Sequence, residues 1–254
     1  MSLFLLFQEP FYRAIIASRI IRPLVLPDTS QIKILGYADD SNLLILSEDS
    51  LLEAFALIDK FGKTMGSRLN RTKTKIFGIG AWKGREQWPI NEFQVEKEHL
   101  NTLGIYHSNS YGNCIDMNWS NIISKMKNHT NMLHSRRLTL HQRVIYANTC
   151  ILSKMWYTAH IYPLTDRYYK EANTILFQYK WVGRYDPIKR STVFKPENEG
   201  GLSVINCLLK ANTIMLSTFI KCYTHDEYKN ALMFYYWYMK LNIILPPEYN
   251  IHNA

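Results

Sequence analysis

The hydrophobic pattern of this chain changes period once, near residue 112, and that change limits the folds open to it. Before it, apolar residues come in short runs broken by Gly, Pro, Asn and Asp, as short strands, turns and occasional helices require. After it, they recur at helical spacing. Trp119, Ile122, Ile123, Met126 and Leu133 fall on one face, and Leu140, Val144, Ala147, Ile151 and Met155 form a second stripe. Further helices are predicted over residues 166–181, 204–223 and 227–241, with a basic loop containing Gly and Pro at 182–201. The aromatic-rich residues 230–254 fit either a core or a partner surface. The expected fold class is therefore α+β over residues 1–112, followed by an all-helical region over residues 113–254.

Within the first part, residues 3–21 read as a helix kinked or interrupted at Pro10. It is too apolar for a surface helix and is expected to pack under a sheet. Residues 22–29 read as a loop. Ser47, Glu48, Asp49 and Ser50 start a helix: the hydroxyls cap free N–H groups, and the acids suit the positive end of the helix dipole. Leu51, Leu52, Phe55, Ile58 and Phe61 continue it, and Gly66 ends it. Residues 73–80 alternate and read as a strand. Residues 93–106 read as two more strands around a turn.

The length of 254 residues and an apolar fraction of 47% allow a sizeable core. A net charge of +9 suits a polyanionic partner, nucleic acid above all, and equally describes a merely basic soluble protein. Cys114, Cys150, Cys207 and Cys222 are far apart, so neither a zinc site nor a disulfide framework is indicated, and a reducing, intracellular compartment is expected. The histidines are scattered, and His129 and His134 have no cysteine at metal-site spacing. The apolar start is too short for a signal peptide, and no stretch approaches the roughly 18 apolar residues of a membrane span.

Two apolar runs, at residues 31–35 and 42–46, flank the stretch Gly36-Tyr37-Ala38-Asp39-Asp40. Strand, tight polar turn and strand make a β-hairpin. Two adjacent carboxylates repel each other, and a divalent cation on their oxygens offsets that repulsion. Taken alone, an Asp-Asp pair is also an ordinary turn signal. The order of the later elements carries more: a helix, a small sheet, then a run of helices.

That order, with several short motifs, resembles the reverse transcriptases of non-LTR (LINE-type) retrotransposons over most of the chain. Met1-Ser2, Leu5-Leu6-Phe7 and Glu9-Pro10 look like the tail of the family's template-positioning motif. Tyr37-Ala38-Asp39-Asp40 is similar to its catalytic hairpin. Gly66, Leu69, Asn70, Lys73 and Thr74 match the next palm motif, and Leu103-Gly104-Ile105 looks like the primer grip. Trp119, Arg136-Arg137, Leu138-Thr139-Leu140 with Arg143, Lys189-Arg190-Ser191-Thr192 and Gly200-Gly201-Leu202 resemble the thumb region and a later stretch.

The resemblance implies a partial polymerase palm, a helix plus a small antiparallel sheet, followed by a helical thumb. It implies RNA-directed DNA synthesis with two Mg²⁺ ions, an RNA template and a DNA primer, in the nucleus or cytoplasm. Asp39 would be a metal ligand and Asp40 its partner, with Tyr37 and Ala38 beside the primer terminus. Lys73 would sit near the incoming triphosphate; without the resemblance it reads as a solvated strand lysine. Leu103, Gly104 and Ile105 would hold the primer backbone, Gly104 allowing close approach, or form an ordinary buried strand. Lys125, Lys127, Arg136, Arg137 and Arg143, and later Lys180, Arg184, Lys189, Arg190 and Lys195, make two basic clusters. With Trp181 and Tyr185 they suit phosphate contact and base stacking, or, one by one, a solvated face.

The family also uses a third carboxylate on an upstream palm strand, together with fingers. The sequence begins inside the positioning motif, and Asp28 lies in the wrong place to substitute. A truncated polymerase with little activity alone is therefore expected, with complementation by a chain that supplies the missing palm half. Losing one of three metal ligands typically costs several kcal/mol of transition-state stabilisation. The alternative is a non-catalytic module that binds RNA or an RNA–DNA hybrid.

Overall fold

The structure, a computed structural model, describes residues 2–26, 29–90, 92–133, 136–183 and 185–224. The helix expected over 227–241, the stretch 230–254, and Asp28, His134 and Arg184 lie outside the described residues. The fold is a mixture of helices and short two-stranded pairs, α+β in the broad sense. Two compact units divide between Leu100 and Asn101, earlier than the boundary expected at residue 112.

In the first unit, helix α1 (Ser2–Ala17) runs through Pro10 and is followed by strands β1 (Leu24–Val25) and β2 (Gln31–Ile32). The stretch expected to be a loop thus contains a strand, because Leu24 and Val25 pair with Ile32 and Gln31. Strands β3 (Ile34–Tyr37) and β4 (Asp40–Leu43) form the expected hairpin. Helix α2 (Glu48–Met65) starts at Ser47, whose side chain accepts from the Ser50 N–H, and ends at Gly66 with φ +68°, as its end signals predict. Phe11, Ile15, Ile21 and Ala54 form a small core, with Ile34, Leu43 and Phe61 packed on it. The α1 and α2 faces meet through rings, Phe11 against Phe61 at 5.4 Å. Leu52 departs from the predicted stripe and is exposed, while Ala54 is fully buried. Leu6 and Ile16 are exposed too, so α1 does not bury its whole circumference.

Ser50 joins these pieces. Its hydroxyl donates to the Ile20 carbonyl at 2.9 Å and accepts from the Arg22 N–H at 3.1 Å. It is fully buried, and these bonds satisfy a polar group that would otherwise destabilise the core.

The expected small antiparallel sheet is a correction: the strands make four separate two-stranded pairs. Strand β5 (Lys75–Phe77) pairs in parallel with β6 (Gln94–Glu96). Parallel pairing needs a long crossover, and the intervening residues 78–93 provide it. They are held by Arg85, which lies 4.6 Å from the Trp82 ring centre, by Trp82 stacked on Trp88, and by an Arg85–Glu48 ion pair.

Strands β7 (His99–Thr102) and β8 (Ile105–Ser108) form a hairpin, and α3 (Tyr111–Leu133) follows. The division falls early because β8 is tied to α3. The buried Asn118 amide donates to the Tyr106 carbonyl at 2.8 Å, and its oxygen accepts from the Tyr106 N–H at 2.9 Å. Asn118 therefore completes the β8 backbone as a neighbouring strand would.

Helices α4 (Leu140–Tyr146) and α5 (Ser153–Ala159) are joined by one wide turn of π-helix at Ala147–Ile151, closed by the Leu152 N–H on the Ala147 carbonyl. The extra residue lets Leu152 join Val144, Ala147, Ile151 and Met155 in the core. Thr139 and Gln142 form a capping box that starts α4. Helix α6 (Asp166–Trp181), the short α7 (Arg190–Val193) and α8 (Cys207–Thr224) complete the unit. The α3 stripe predicted from the sequence is buried throughout. Among the described residues no helix is long and apolar enough to cross a membrane.

Trp119 is fully buried where α3 meets α6, and its indole N–H donates to the Pro163 carbonyl at 2.8 Å. Trp119→Ala is expected to destabilise the second unit by about 3–5 kcal/mol in a denaturant melt. A loss below about 1 kcal/mol would contradict this packing.

Candidate functional site

The β3–β4 ladder pairs Ile34 with Leu43, Leu35 with Asn42, Gly36 with Ser41, and Tyr37 with Asp40. Cross-strand partners share a face, and successive pairs alternate. Ile34, Leu43, Gly36 and Ser41 therefore face the small core, and Leu35, Asn42, Tyr37 and Asp40 face away from it. Burial agrees: Ile34 and Leu43 pack on the core, whereas Leu35, Tyr37 and Asp40 are exposed.

Tyr12 of α1 fixes the inner face. Its hydroxyl donates to the Gln8 side chain at 2.7 Å and lies 3.0 Å from the Ser41 hydroxyl, which is left to donate. A Cβ on Gly36 would come within 2.4 Å of the Tyr12 hydroxyl oxygen, so only glycine fits beneath the ring. Lys33 holds the hairpin from its other end, its ammonium donating to the Ile16 and Ser18 carbonyls at 2.7 and 2.6 Å. Those carbonyls lie at the C-terminal end of α1, where a cation is favoured. Tyr12, Ser41 and Lys33 were not legible as site residues, since their partners lie far along the chain.

The turn consists of Ala38 and Asp39, with Asp40 already on β4. Ala38 has φ +52° and Asp39 does not share the positive sign, the pattern of a turn whose first central residue is ordinarily glycine. An alanine there is strained, and strained backbone concentrates at functional tips. The result is two adjacent, exposed carboxylates at the end of a hairpin with one fixed face.

Lys73 lies in a turn and not on the predicted strand. The Asn70 side chain accepts from the Lys73 N–H at 3.2 Å and from the Thr72 hydroxyl at 2.8 Å, which closes a turn before β5. The Lys73 side chain is exposed.

In the second unit, Leu103 and Gly104 form the tip of the β7–β8 hairpin, with φ +52° and +81°. Both positive values mark the tight turn that suits twisted strands, and glycine takes its place there freely. The Leu103 carbonyl accepts from the Tyr157 hydroxyl at 3.0 Å. Ile105 is only 2% exposed and packs with Cys114 and Tyr162. The predicted triplet is thus divided between an exposed tip and a core anchor.

The basic residues divide in the same way. Lys125, Arg136, Arg137 and Lys189 are exposed and make no ion pair with a described residue. Lys127 pairs with Glu171 at 2.6 Å, and Arg190 pairs with Asp186 at 2.7 Å. Arg143 is half-buried and donates to the Leu138 and Tyr179 carbonyls at 3.0 and 3.2 Å. It bridges α4 to α6 and has a structural role in addition to any surface one.

Lys180 differs from all of these. It is 2% exposed, with its ammonium 4.4 and 4.2 Å from the ring centres of Phe177 and Trp181. The ammonium has no hydrogen-bond partner among the described residues. Burial holds its pKa down to about 8, partly countered by Asp186 and reinforced by Arg190. Burial likewise holds the His107, His129 and His160 imidazoles below their usual range.

Among the described residues no three His, Cys, Asp or Glu side chains stand together as a metal cluster. The hairpin tip itself offers two adjacent carboxylates. That donor set fits Mg²⁺, which commonly takes one or two carboxylates and fills its remaining positions with water and phosphate oxygens. No protein-family model matches the chain, and comparison with curated proteins gives no match.

Two measurements test this geometry. Ala38→Gly is expected to stabilise the first unit by roughly 0.5–1 kcal/mol, and Gly36→Ala to destabilise it by about 1–3 kcal/mol, in denaturant melts. Equal effects at the two positions would contradict the assigned turn. For Lys180, folded and unfolded chains both carry the charge below pH about 8. From about 8 to 10.5 the folded chain releases that proton while the unfolded chain keeps it, so this residue's contribution to stability rises with pH. Lys180→Met is expected to be more stable than the parent at pH 7, by on the order of 3 kcal/mol. The gap should shrink as pH rises through that window. Taking the difference between the two proteins removes the opposing effect of Cys207, whose thiol burial pushes up to about 12. A pH-independent gap would contradict the buried charge.

Proposed function

We propose that this chain is a portion of a retrotransposon-type RNA-directed DNA polymerase, comprising part of a palm and a thumb-like helical region. What supports the reading is the hairpin tip: two adjacent exposed carboxylates, Asp39 and Asp40, on a strained turn whose inner face is locked by Tyr12. In this reading Asp39 and Asp40 hold Mg²⁺, which when bound activates the primer hydroxyl and screens phosphate charge. Tyr37, on the same face as Asp40, borders the primer terminus. Lys73 neutralises charge on the incoming triphosphate. Leu103 and Gly104 approach the primer backbone through their exposed tip, with Ile105 as its anchor. A third oxygen ligand comes from outside the described residues, on another segment or another chain, and activity depends on it.

A second reading, a non-catalytic module for RNA or RNA–DNA hybrid, draws on a different observation. Lys125, Arg136, Arg137 and Lys189 are exposed and not tied to acids among the described residues. Such cations exchange counterions for phosphates, and binding weakens with salt by a slope of about 0.7 per contact on single strands.

Primer extension on an RNA template with Mg²⁺ tests the first reading. The purified chain is expected to give little or no extension alone. Addition of a polypeptide carrying further palm strands with a third carboxylate should give extension that is lost in Asp39→Ala. Extension that is insensitive to Asp39→Ala would contradict the reading. Salt-dependent RNA binding unchanged by Asp39→Ala, with no extension under any condition, would favour the second.

A further inference from the structure

The groove between α3 and α6 contains a cavity of about 220 Å³, lined by Lys127, Thr130, Asn131, Ile175, Gln178 and Tyr179. It is smaller than the roughly 300–1,000 Å³ of sites for drug-sized ligands, so a ligand group the size of one ring system suits it. Ile175 gives one apolar wall. Asn131 and Gln178 are exposed on their helices, and neither amide is bonded to a described side chain. Each offers two N–H donors and a carbonyl acceptor. The Thr130 hydroxyl donates to the Lys127 carbonyl at 2.9 Å and keeps its oxygen lone pairs as acceptors.

The surroundings are positive. Lys127 stands on the wall, partly neutralised by Glu171. Arg143 donates to the Tyr179 carbonyl at 3.2 Å, and Arg136 directly follows α3, its N–H donating to the Leu133 carbonyl at 3.0 Å. Arg143 is tied to backbone carbonyls, whereas Arg136 is exposed and has no ion pair among the described residues. An amide pair matches a base edge that presents adjacent donor and acceptor groups, as Asn and Gln match adenine.

We propose that this cavity binds one nucleobase, adenine most directly, with Asn131 and Gln178 on its edge and the attached phosphate toward Arg136 and Lys127. The inference rests on the nucleic-acid reading only for the source of the base, since an RNA strand and a free nucleotide present the same group.

Isothermal titration of the full chain tests it. The probes are adenosine 5′-monophosphate, adenosine, inorganic phosphate, an adenine-containing RNA oligomer and the same oligomer with abasic positions. The nucleotide is expected to bind saturably, adenosine more weakly, and phosphate more weakly still. The double variant Asn131→Leu/Gln178→Leu should weaken nucleotide binding by at least about tenfold with an unchanged melt. If the double variant melts early, Gln178→Leu alone, at an exposed helix position, carries the same test. A strand source predicts that the adenine oligomer binds more tightly than the abasic one and loses this advantage in the variant. A free-nucleotide source predicts nucleotide binding with no such difference between oligomers. No nucleotide binding, or equal binding by parent and variant, would overturn the proposal. Salt-dependent RNA binding that survives such a result would leave the nucleic-acid reading intact. Nucleotide binding without any RNA binding would uphold the cavity and defeat that reading.

Discussion

The close approach of Tyr12 to Gly36 governs what the first unit can present. The ring occupies the space a side chain would take, and its hydroxyl meets Ser41 across the ladder. One face of the hairpin is committed to α1, and strand alternation then turns Tyr37 and Asp40 outward. A slip of one residue would exchange the faces, bringing Asp40 toward Tyr12 and taking Leu43 off the small core. The register is thus protected by the small core beneath it. The strain at Ala38 is tolerated because the strands on either side are held by Tyr12 and Lys33.

The second unit depends on a different constraint, the filling of the space between α3, α6 and the α4–α5 pair. Trp119 provides bulk there and also a bond to the chain between α5 and α6. The wide turn at Ala147–Ile151 keeps both halves of the long helix against the same core. It also presents Asn148, whose amide donates to the Ser203 carbonyl at 2.9 Å and whose oxygen accepts from the Ile205 N–H at 3.1 Å. The segment leading to α8 is held by side-chain bonds of the kind a strand would otherwise supply. Lys180 is an exception to this economy, a buried ammonium between two rings with no oxygen partner among the described residues.

Local signals in the sequence were the legible ones. The Ser47 cap, the Gly66 stop, the α3 stripe and the Asp39-Asp40 hairpin each depend on residues within a few positions, and the structure has all four. Pairing over long distances was not legible. The parallel β5–β6 pair needs the Arg85–tryptophan cluster to hold its crossover, and no periodicity announces that. The Asn70 turn removes Lys73 from the strand: the Asn70 side chain bonds the residues two and three further on, a turn habit of asparagine that outweighs alternation. Asn118 lies outside the apolar stripe of α3, yet its bonds to Tyr106 tie β8 to that helix. Of the candidate site, the two carboxylates could be read directly. The residues that hold them, Tyr12, Ser41 and Lys33, emerge only when α1 is laid against the hairpin.

The claim that the hairpin tip is a divalent-cation site for nucleotide chemistry is tested most directly by substoichiometric Mn²⁺ in an amide NMR spectrum of the full chain. Paramagnetic broadening centred on residues 37–41 is the predicted result, with its loss in Asp39→Ala. Tip signals that stay sharp while other acidic residues broaden, or broadening that survives Asp39→Ala, would contradict it.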